Sequence, residues 1–545
     1  MSQLDSPSAW KADPVKLFLL ALASVVFYLA WTSPADAAPS DPGRHQVLTV
    51  NTVVHVWWVT EWRGNQVKCE VYVDHDGLPT RDEILEACGR ETYDQWIETA
   101  PCASSESQTA STRCKGLYLH DAGKNVVQKM VSIDLPTPYV SLSLEGCNPQ
   151  PPANQCDVIP RVVLKAHEPL PNEHIIRIRG SLDGVGFTCE SDSCVLDVGP
   201  TRPEGASLYF WADSSFGDSS AHYEAAIRIT SPQPNGSSDQ TWFVDVLSSQ
   251  WEGAPPPACS TIWGAFTPAG GPPAWLSTPP SADGLKSDFP YAYLTGTMIR
   301  EGLIDAGNCP DAGLLPNGAA NACGVSTGKE AVTAWQNRFD QLIFDEAKAT
   351  GIPAQLMKRL FARESQFWPG TYDDKKEIGL GQLTESGADT TLLWNGSFFS
   401  QFCPLVLDSG ACAQGYARLL PGEQALLRGA LTEQVNAACK DCSSGVDLKR
   451  AKRSVEVFGA TLLANCQQVG WMVSSTAEVK PGGVSSYEDL WRMSLANYNA
   501  GPGCLSQAMK QAWRREGRLD WATVSSYLDP ACQGSIGYVE SITGD

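Results

Sequence analysis

The sequence predicts a multidomain chain: two β-rich modules at the N-terminal side, followed by an α-helical domain. Three observations predict it. Short apolar runs of strand length fill residues 46 to 250, separated by Pro, Gly, Asn and Asp. Residues 251 to 283 are rich in Pro, Gly and Ser, as in Gly253-Ala254-Pro255-Pro256-Pro257 and Gly270-Gly271-Pro272-Pro273. From Thr327 onward a helical period takes over, with Ala331, Trp335, Phe339 and Ile343 at spacing four.

Residues 1–37 read as a signal peptide. Leu17–Trp31 is a run of fifteen apolar or small residues, preceded by Lys11 and Lys16 and followed by Ala35-Asp36-Ala37. That length suits a leader and is short for a membrane span. An uncleaved anchor, with Trp31 at the interface, is the alternative, and either way the remainder is exported. Residues 46–135 open on Val47-Leu48-Thr49-Val50 and an apolar run through Trp57, Trp58 and Val59, with a short helix expected over Thr80–Ala87. They read as a disulfide-braced β-rich domain with one helix. Asp74-His75-Asp76-Gly77 with Glu83 matches calcium-loop positions 3, 5, 6 and 12, but Tyr72 stands at position 1 and breaks the match. A turn leading into a capped helix explains the same residues.

Residues 136–250 give strand-like runs at Tyr139–Leu144, Arg161–Ala166, Ile175–Arg179, Cys194–Val198, Ser207–Trp211 and Tyr223–Thr230. Their spacing fits an immunoglobulin-like β-sandwich. Phe210 and Trp211 are sugar-binding candidates or inward-facing core. Spacing, or attachment to a wall or membrane surface, is the role expected of this N-terminal part. Residues 251–283 form a stiff linker or an extended wrap, and 284–545 form the helical domain.

Eighteen cysteines in an exported chain read as disulfides. Cys69, Cys88, Cys102 and Cys114 make one set, and Cys147, Cys156, Cys189 and Cys194 another. The remaining ten run from Cys259 to Cys532, so Cys259 belongs with the helical module, which then starts near 255. Cys439-x-x-Cys442 with Cys466 lacks the second close pair or nearby His of a zinc site. No metal or cofactor is expected. A net charge of −21 argues against nucleic acid as a partner. It also leaves binding to an anionic polymer to local contacts. The seven His are not clustered, and no Walker, Rossmann or Ser-His-Asp signature occurs.

The chemistry gathers in three segments. The first is Ala362-Arg363-Glu364-Ser365-Gln366-Phe367-Trp368-Pro369. Gly351 and Pro353 mark a helix start, and Leu356, Leu360 and Glu364 then share one face with Met357 and Phe361. A carboxyl on an apolar face holds its proton at higher pH, as a general acid must. Pairing with Arg359 or Arg363 at the surface is the bland alternative. The second segment is Gly379-Leu380-Gly381-Gln382-Leu383, where glycines permit close backbone approach and Gln382 offers both donor and acceptor. The third is Asn497-Tyr498-Asn499-Ala500-Gly501-Pro502-Gly503, expected to end a helix that begins near Ser485 or Ser486.

In order and residue type these segments, with the late pair Tyr538-Val539, resemble the soluble lytic transglycosylases, a lysozyme-like family. Its motifs are Glu-Ser-x-Phe-x-Pro, Gly-Leu-Met-Gln-Leu, Ala-Tyr-Asn-Ala-Gly-Pro-Gly and Tyr-Val. The resemblance covers about residues 340 to 545. It implies a lysozyme-like helical catalytic domain that acts on peptidoglycan glycan strands. It also implies Glu364 as acid and base, with Ser365, Gln382, Tyr498, Asn499 and Tyr538 on the substrate-binding side. Ser365 would orient Glu364 or its side of the cleft. Glu364 would protonate the oxygen between N-acetylmuramic acid and N-acetylglucosamine. It would then take the proton of the muramic acid 6-hydroxyl as that oxygen closes a 1,6-anhydro ring. No second carboxylate is needed, an exception to two-carboxylate glycosidases.

The chain departs from the family in several stretches. Asp373-Asp374-Lys375-Lys376-Glu377 replaces Ser-x-x-Gly-Ala; Gly381 replaces Met, which widens the site or removes an apolar sugar contact; and Thr390–Arg450 adds a stretch with four cysteines. Asp373 or Asp374 across the cleft would position water and make a hydrolase, as in goose-type lysozymes. A muramidase, a chitinase-type glycosidase and a non-catalytic wall-binding scaffold are thus the alternatives.

Overall fold

Strand and helix follow the alternation and periodicity of the sequence closely enough to be read element by element. The computed structural model describes residues 43–100, 114–231, 241–372, 377–439, 441–442 and 445–544. Leu17–Trp31, Cys102, Asp373 and Asp374 lie outside the described residues. A β-rich N-terminal region precedes a helical C-terminal region. By contacts, one unit ends at Thr137 and takes in Pro169–Glu173 and Phe216–Asp218; the other holds Pro138–Glu168, His174–Ser215 and Ser219–Asp545.

In the first unit, β1 (His45–Glu61) lies between β2 (Val67–Val73) and β3 (Leu117–Asp134), all antiparallel. Val59, Val71, Val73 and Leu117 pack on Ile84 of helix α1 (Arg81–Ile97). The first part of that helix matches the expected Thr80–Ala87 and ends at a break at Gly89 (φ 74°, ψ 166°), beyond which a second helical stretch runs to Ile97. Thr80 caps α1, and Glu83 accepts from Thr80 N at 2.7 Å. The same carboxylate lies 3.1 Å from His75 Nε2, so the Asp74–Glu83 stretch is a turn feeding a capping box. Cys69 pairs with Cys88.

In the second unit a three-stranded sheet, β4-β6-β9, and a six-stranded sheet, β5-β12-β11-β10-β7-β8, share one core. The strands are β4 (Tyr139–Glu145), β5 (Gln155–Cys156), β6 (Arg161–His167), β7 (Ile175–Leu182), β8 (Val185–Cys189), β9 (Ser193–Leu196), β10 (Ala206–Ser214), β11 (Tyr223–Thr230) and β12 (Trp242–Ser248). Val140 and Leu142, Val162 and Leu164, and Leu208, Phe210 and Ala212 alternate inward, the period-two pattern of a half-buried strand. Phe210 is core, whereas Trp211 is partly exposed and stacks on His222 at 4.6 Å. Strands β5, β8 and β12 were not among the expected runs; β5 is only two residues long and β8 follows β7 after a two-residue turn.

Residues 251–283 wrap onto the helical core. Trp263, Trp275 and Leu276 are buried in it, Trp263 Nε1 donates to Cys466 O at 2.9 Å, and Cys259 bonds Cys466. Arg228 of β11 donates to Thr267 O and holds Asp245 at 2.6 Å. The Ala331–Ile343 periodicity is two helices, α2 (Ala322–Gln336) and α3 (Asp340–Thr350), whose buried faces line up across the break. Next come α4 (Ala354–Glu364), α5 (Glu385–Trp394), α6 (Gly396–Phe402), α7 (Pro421–Val435), α8 (Leu448–Ala477), α9 (Tyr487–Glu516) and α10 (Gly534–Thr543). The four-cysteine stretch builds its own small core. Leu392, Phe399, Phe402, Leu427 and Leu431 pack with Val457 of α8, and Cys403–Cys412 and Cys439–Cys442 close it locally. Among the described residues no helix is long and apolar enough to cross a membrane, and no cysteine is free.

Candidate active site

The site is set by what ends α4. Gly351, at φ 74°, closes α3, and Pro353 occupies the N-cap position of α4, one residue before its first turn. Leu356, Met357, Leu360 and Phe361 are fully buried, which pins the helix and brings Glu364 to its last position. Beyond it the chain reverses through Gln366 (φ 47°) and Phe367 (φ 65°), two non-glycine residues in the left-handed region. Such strain costs on the order of 1 kcal/mol per residue and persists only where surroundings impose it. Here Trp335 Nε1 donates to Phe367 O at 2.9 Å, and Trp368 stacks on Trp335 at 5.3 Å. Lys358, in a buried ion pair with Asp340, sits 4.7 Å from the Phe367 ring.

Glu364 is partly buried, and Tyr538 Oη of α10 donates to its Oε1. Neither arginine expected as a surface partner takes it: Arg359 donates to Ile542 O at 2.7 Å, and Arg363 lies over the Tyr538 ring. Burial pushes the Glu364 carboxyl up to about 7, and the charge of Glu377 adds to that. The Tyr538 hydrogen bond and Arg363 act in the opposite sense. The Tyr538 and Tyr498 hydroxyls are themselves held well above their ordinary range, chiefly by burial.

The Gly379–Gln382 loop forms the facing wall, and its backbone is tied to its surroundings along its length. Gly379 N donates to Gly370 O at 2.9 Å, Ser365 Oγ donates to Leu380 O at 2.7 Å, and Tyr498 Oη donates to Gly381 O. Gly379 has φ 79°, and a side chain there would strike Val435 O. At Gly381 an added Cβ would lie 2.1 Å from the Phe458 ring. The missing side chain therefore does not widen the site: Phe458 of α8, edge-on to Tyr498 at 5.7 Å, already fills that space. Gln382, at φ 50°, turns toward the pocket.

One pocket gathers Glu364, Gln382, Tyr498 and Asn499, so four sequence-predicted residues from three distant segments meet. The other two take different places. Ser365 is 4% exposed and spends its hydroxyl on the loop carbonyl, so it staples the wall and does not line the pocket. Tyr538 is likewise buried and reaches Glu364, a brace for the acid where a sugar contact was expected. Tyr498 lines the pocket while its hydroxyl is committed to Gly381. The Asn497–Gly503 segment ends the helix as expected, and a second helical stretch follows it directly. Ser486 caps α9 as expected, Gly501 (φ 82°, ψ 165°) breaks it, and Pro502 begins a further helical stretch to Glu516.

Sequence reasoning missed several lining residues, Glu377, Asn465 and Asn497 among them. Glu377 sits on a two-residue strand paired with Tyr372, two positions before Gly379. Asn465 comes from the middle of α8, and Asn497 donates to its Oδ1 at 2.7 Å and to Gln468 Oε1 at 2.8 Å. Asn497 stands where the resembled motif has Ala, a visible signal of a polar floor. Among the described residues no group of three or more His, Cys, Asp or Glu is placed to hold a metal ion. A carboxyl that keeps its proton near neutrality, faced by amides and a second carboxylate, can deliver a proton to a bound ether oxygen and recover one from a hydroxyl. No family model matches the chain, and no curated protein matches it.

Proposed function

We propose that this protein is an exported peptidoglycan lytic transglycosylase, with a lysozyme-like catalytic domain in its helical half and an immunoglobulin-like sandwich before it. The observation that carries the reading is Glu364: a carboxyl raised to about 7, braced by Tyr538, in a pocket shared with Gln382, Tyr498 and Asn499. Glu364 gives its proton to the glycosidic oxygen as that bond breaks. The Tyr538 hydroxyl, which favours the carboxylate form, steadies the anion left behind. The carboxylate then takes the proton of the muramic acid 6-hydroxyl, whose oxygen closes on the anomeric carbon and restores the acid. Gln382 and Asn499 supply amide donors and acceptors for N-acetyl and hydroxyl groups. Disulfide bonding of every described cysteine fits an exported protein, with the N-terminal β-rich part serving as spacer or wall attachment.

Glu377 favours a second reading. A carboxylate lining the same pocket can orient water and turn the outcome to hydrolysis. Mass analysis of glycan digested by the wild type and by Glu364→Gln tests both readings. Transglycosylation gives ends one water lighter than hydrolysis, and Glu364→Gln gives neither product.

A further inference from the structure

The Glu364 pocket runs out through Gly501 and Pro502, and a second groove begins at the next residue, Gly503. We propose that this second groove binds carboxylate groups on peptides attached to the glycan strand; the proposal rests on the glycan reading of the Glu364 pocket. Gly503, Gln507, Lys510, Gln511 and Arg514 recur at helical spacing, so they share one face of the Pro502–Glu516 stretch, and Arg515 borders it. At about 1.5 Å per residue, Lys510 lies roughly 10 Å and Arg514 roughly 16 Å along the axis from Gly503. A strand leaving the acid along this helix meets a bare glycine, then amides, then cations.

The cations are free to take a ligand. Lys510, Arg514 and Arg515 are exposed, and none forms an ion pair among the described residues. Arg515 is steadied over the Tyr527 ring at 5.5 Å, and the neighbouring acid, Glu516, accepts the Tyr527 hydroxyl at 2.7 Å. Three unpaired cations in one groove are notable in a chain of net charge −21, where acidic side chains outnumber basic ones. Neutral sugar hydroxyls do not call for them. Carboxylates do, since the guanidinium fork takes a carboxylate through two parallel hydrogen bonds. Contiguity with the acid pocket selects carboxylates carried by the same strand over a separate polyanion.

The test compares Glu364→Gln, which leaves strands undigested, with the same protein also carrying Lys510→Gln, Arg514→Gln and Arg515→Gln. Co-sedimentation is measured with peptide-bearing glycan, with glycan stripped of its peptides, and with vesicles containing phosphatidylglycerol. The single variant is expected to bind peptide-bearing strands about tenfold more tightly than stripped ones, an advantage that shrinks with salt. The added substitutions abolish that advantage and leave binding to stripped strands unchanged. Equal binding of both glycans, or an advantage that survives the substitutions, overturns the groove alone. Binding to neither glycan overturns the glycan reading with it. Cation-dependent binding to vesicles without a peptide advantage assigns the groove to a membrane surface and overturns the proposal.

Discussion

Replacing Glu364 by Gln should stabilise the protein, and by an amount that depends on pH. The carboxyl titrates at about 7 in the folded chain against an ordinary 4.5, with burial the largest cause. Between those values the folded state holds a proton that the unfolded state has released. Stability contributed by this group is therefore complete below 4.5 and is lost as pH rises through about 7. At 1.36 kcal/mol per pH unit, the buried charge costs about 3 kcal/mol above that window. The amide carries no charge at any pH and escapes the penalty. The facing groups, Glu377, Arg363, Tyr498 and Tyr538, are present in both proteins, so the difference between them isolates Glu364. Denaturant unfolding of both, with disulfides intact, from pH 4 to 8.5 is the assay. The difference should shift in favour of Gln by about 3 kcal/mol across that range. A difference that does not change with pH would refute the buried-acid argument.

Three other perturbations follow from contacts already described. Tyr538→Phe removes the hydroxyl that favours the Glu364 carboxylate, so the alkaline limb of the pH–rate profile on wall glycan should move to higher pH and turnover should fall. Gly381→Ala drives a methyl into Phe458 and should cost about 1–3 kcal/mol by unfolding midpoint, recovered when Phe458→Leu is added. Cys259→Ser with Cys466→Ser opens a bridge between residues 207 apart in sequence and should cost roughly 2–5 kcal/mol, with peptide mapping showing the remaining pairs unchanged.

Periodicity made much of this legible. The spacing of Leu356, Leu360 and Glu364 alone places the acid on a buried face, and alternation alone orients Phe210 inward. That Ser365 orients its side of the cleft was legible from the resemblance; the role of Tyr538 was not, because a motif says which residues gather and not which atom each one addresses. Ser365 Oγ is claimed by Leu380 O, and Tyr538 Oη by Glu364 itself. Gly381 misled for a related reason. The volume it vacates is filled by Phe458, 77 positions later and on a helix with no motif of its own. Gly501-Pro502-Gly503 carries stop signals, yet Pro also suits a first helical turn, and the apolar run Leu505, Ala508, Met509 and Ala512 restarts the helix. Glu377 was hidden in a run of mixed charges because backbone pairing with Tyr372, which places it at the pocket, leaves no mark in composition.

The most direct measurement is digestion of purified peptidoglycan glycan in ¹⁸O-labelled water, with the products read by mass. Ring closure by the 6-hydroxyl takes no oxygen from solvent. It predicts unlabelled ends one water lighter than hydrolysed ends, formed by the wild type and absent with Glu364→Gln. Labelled, full-mass ends, or undiminished turnover by Glu364→Gln, would contradict it.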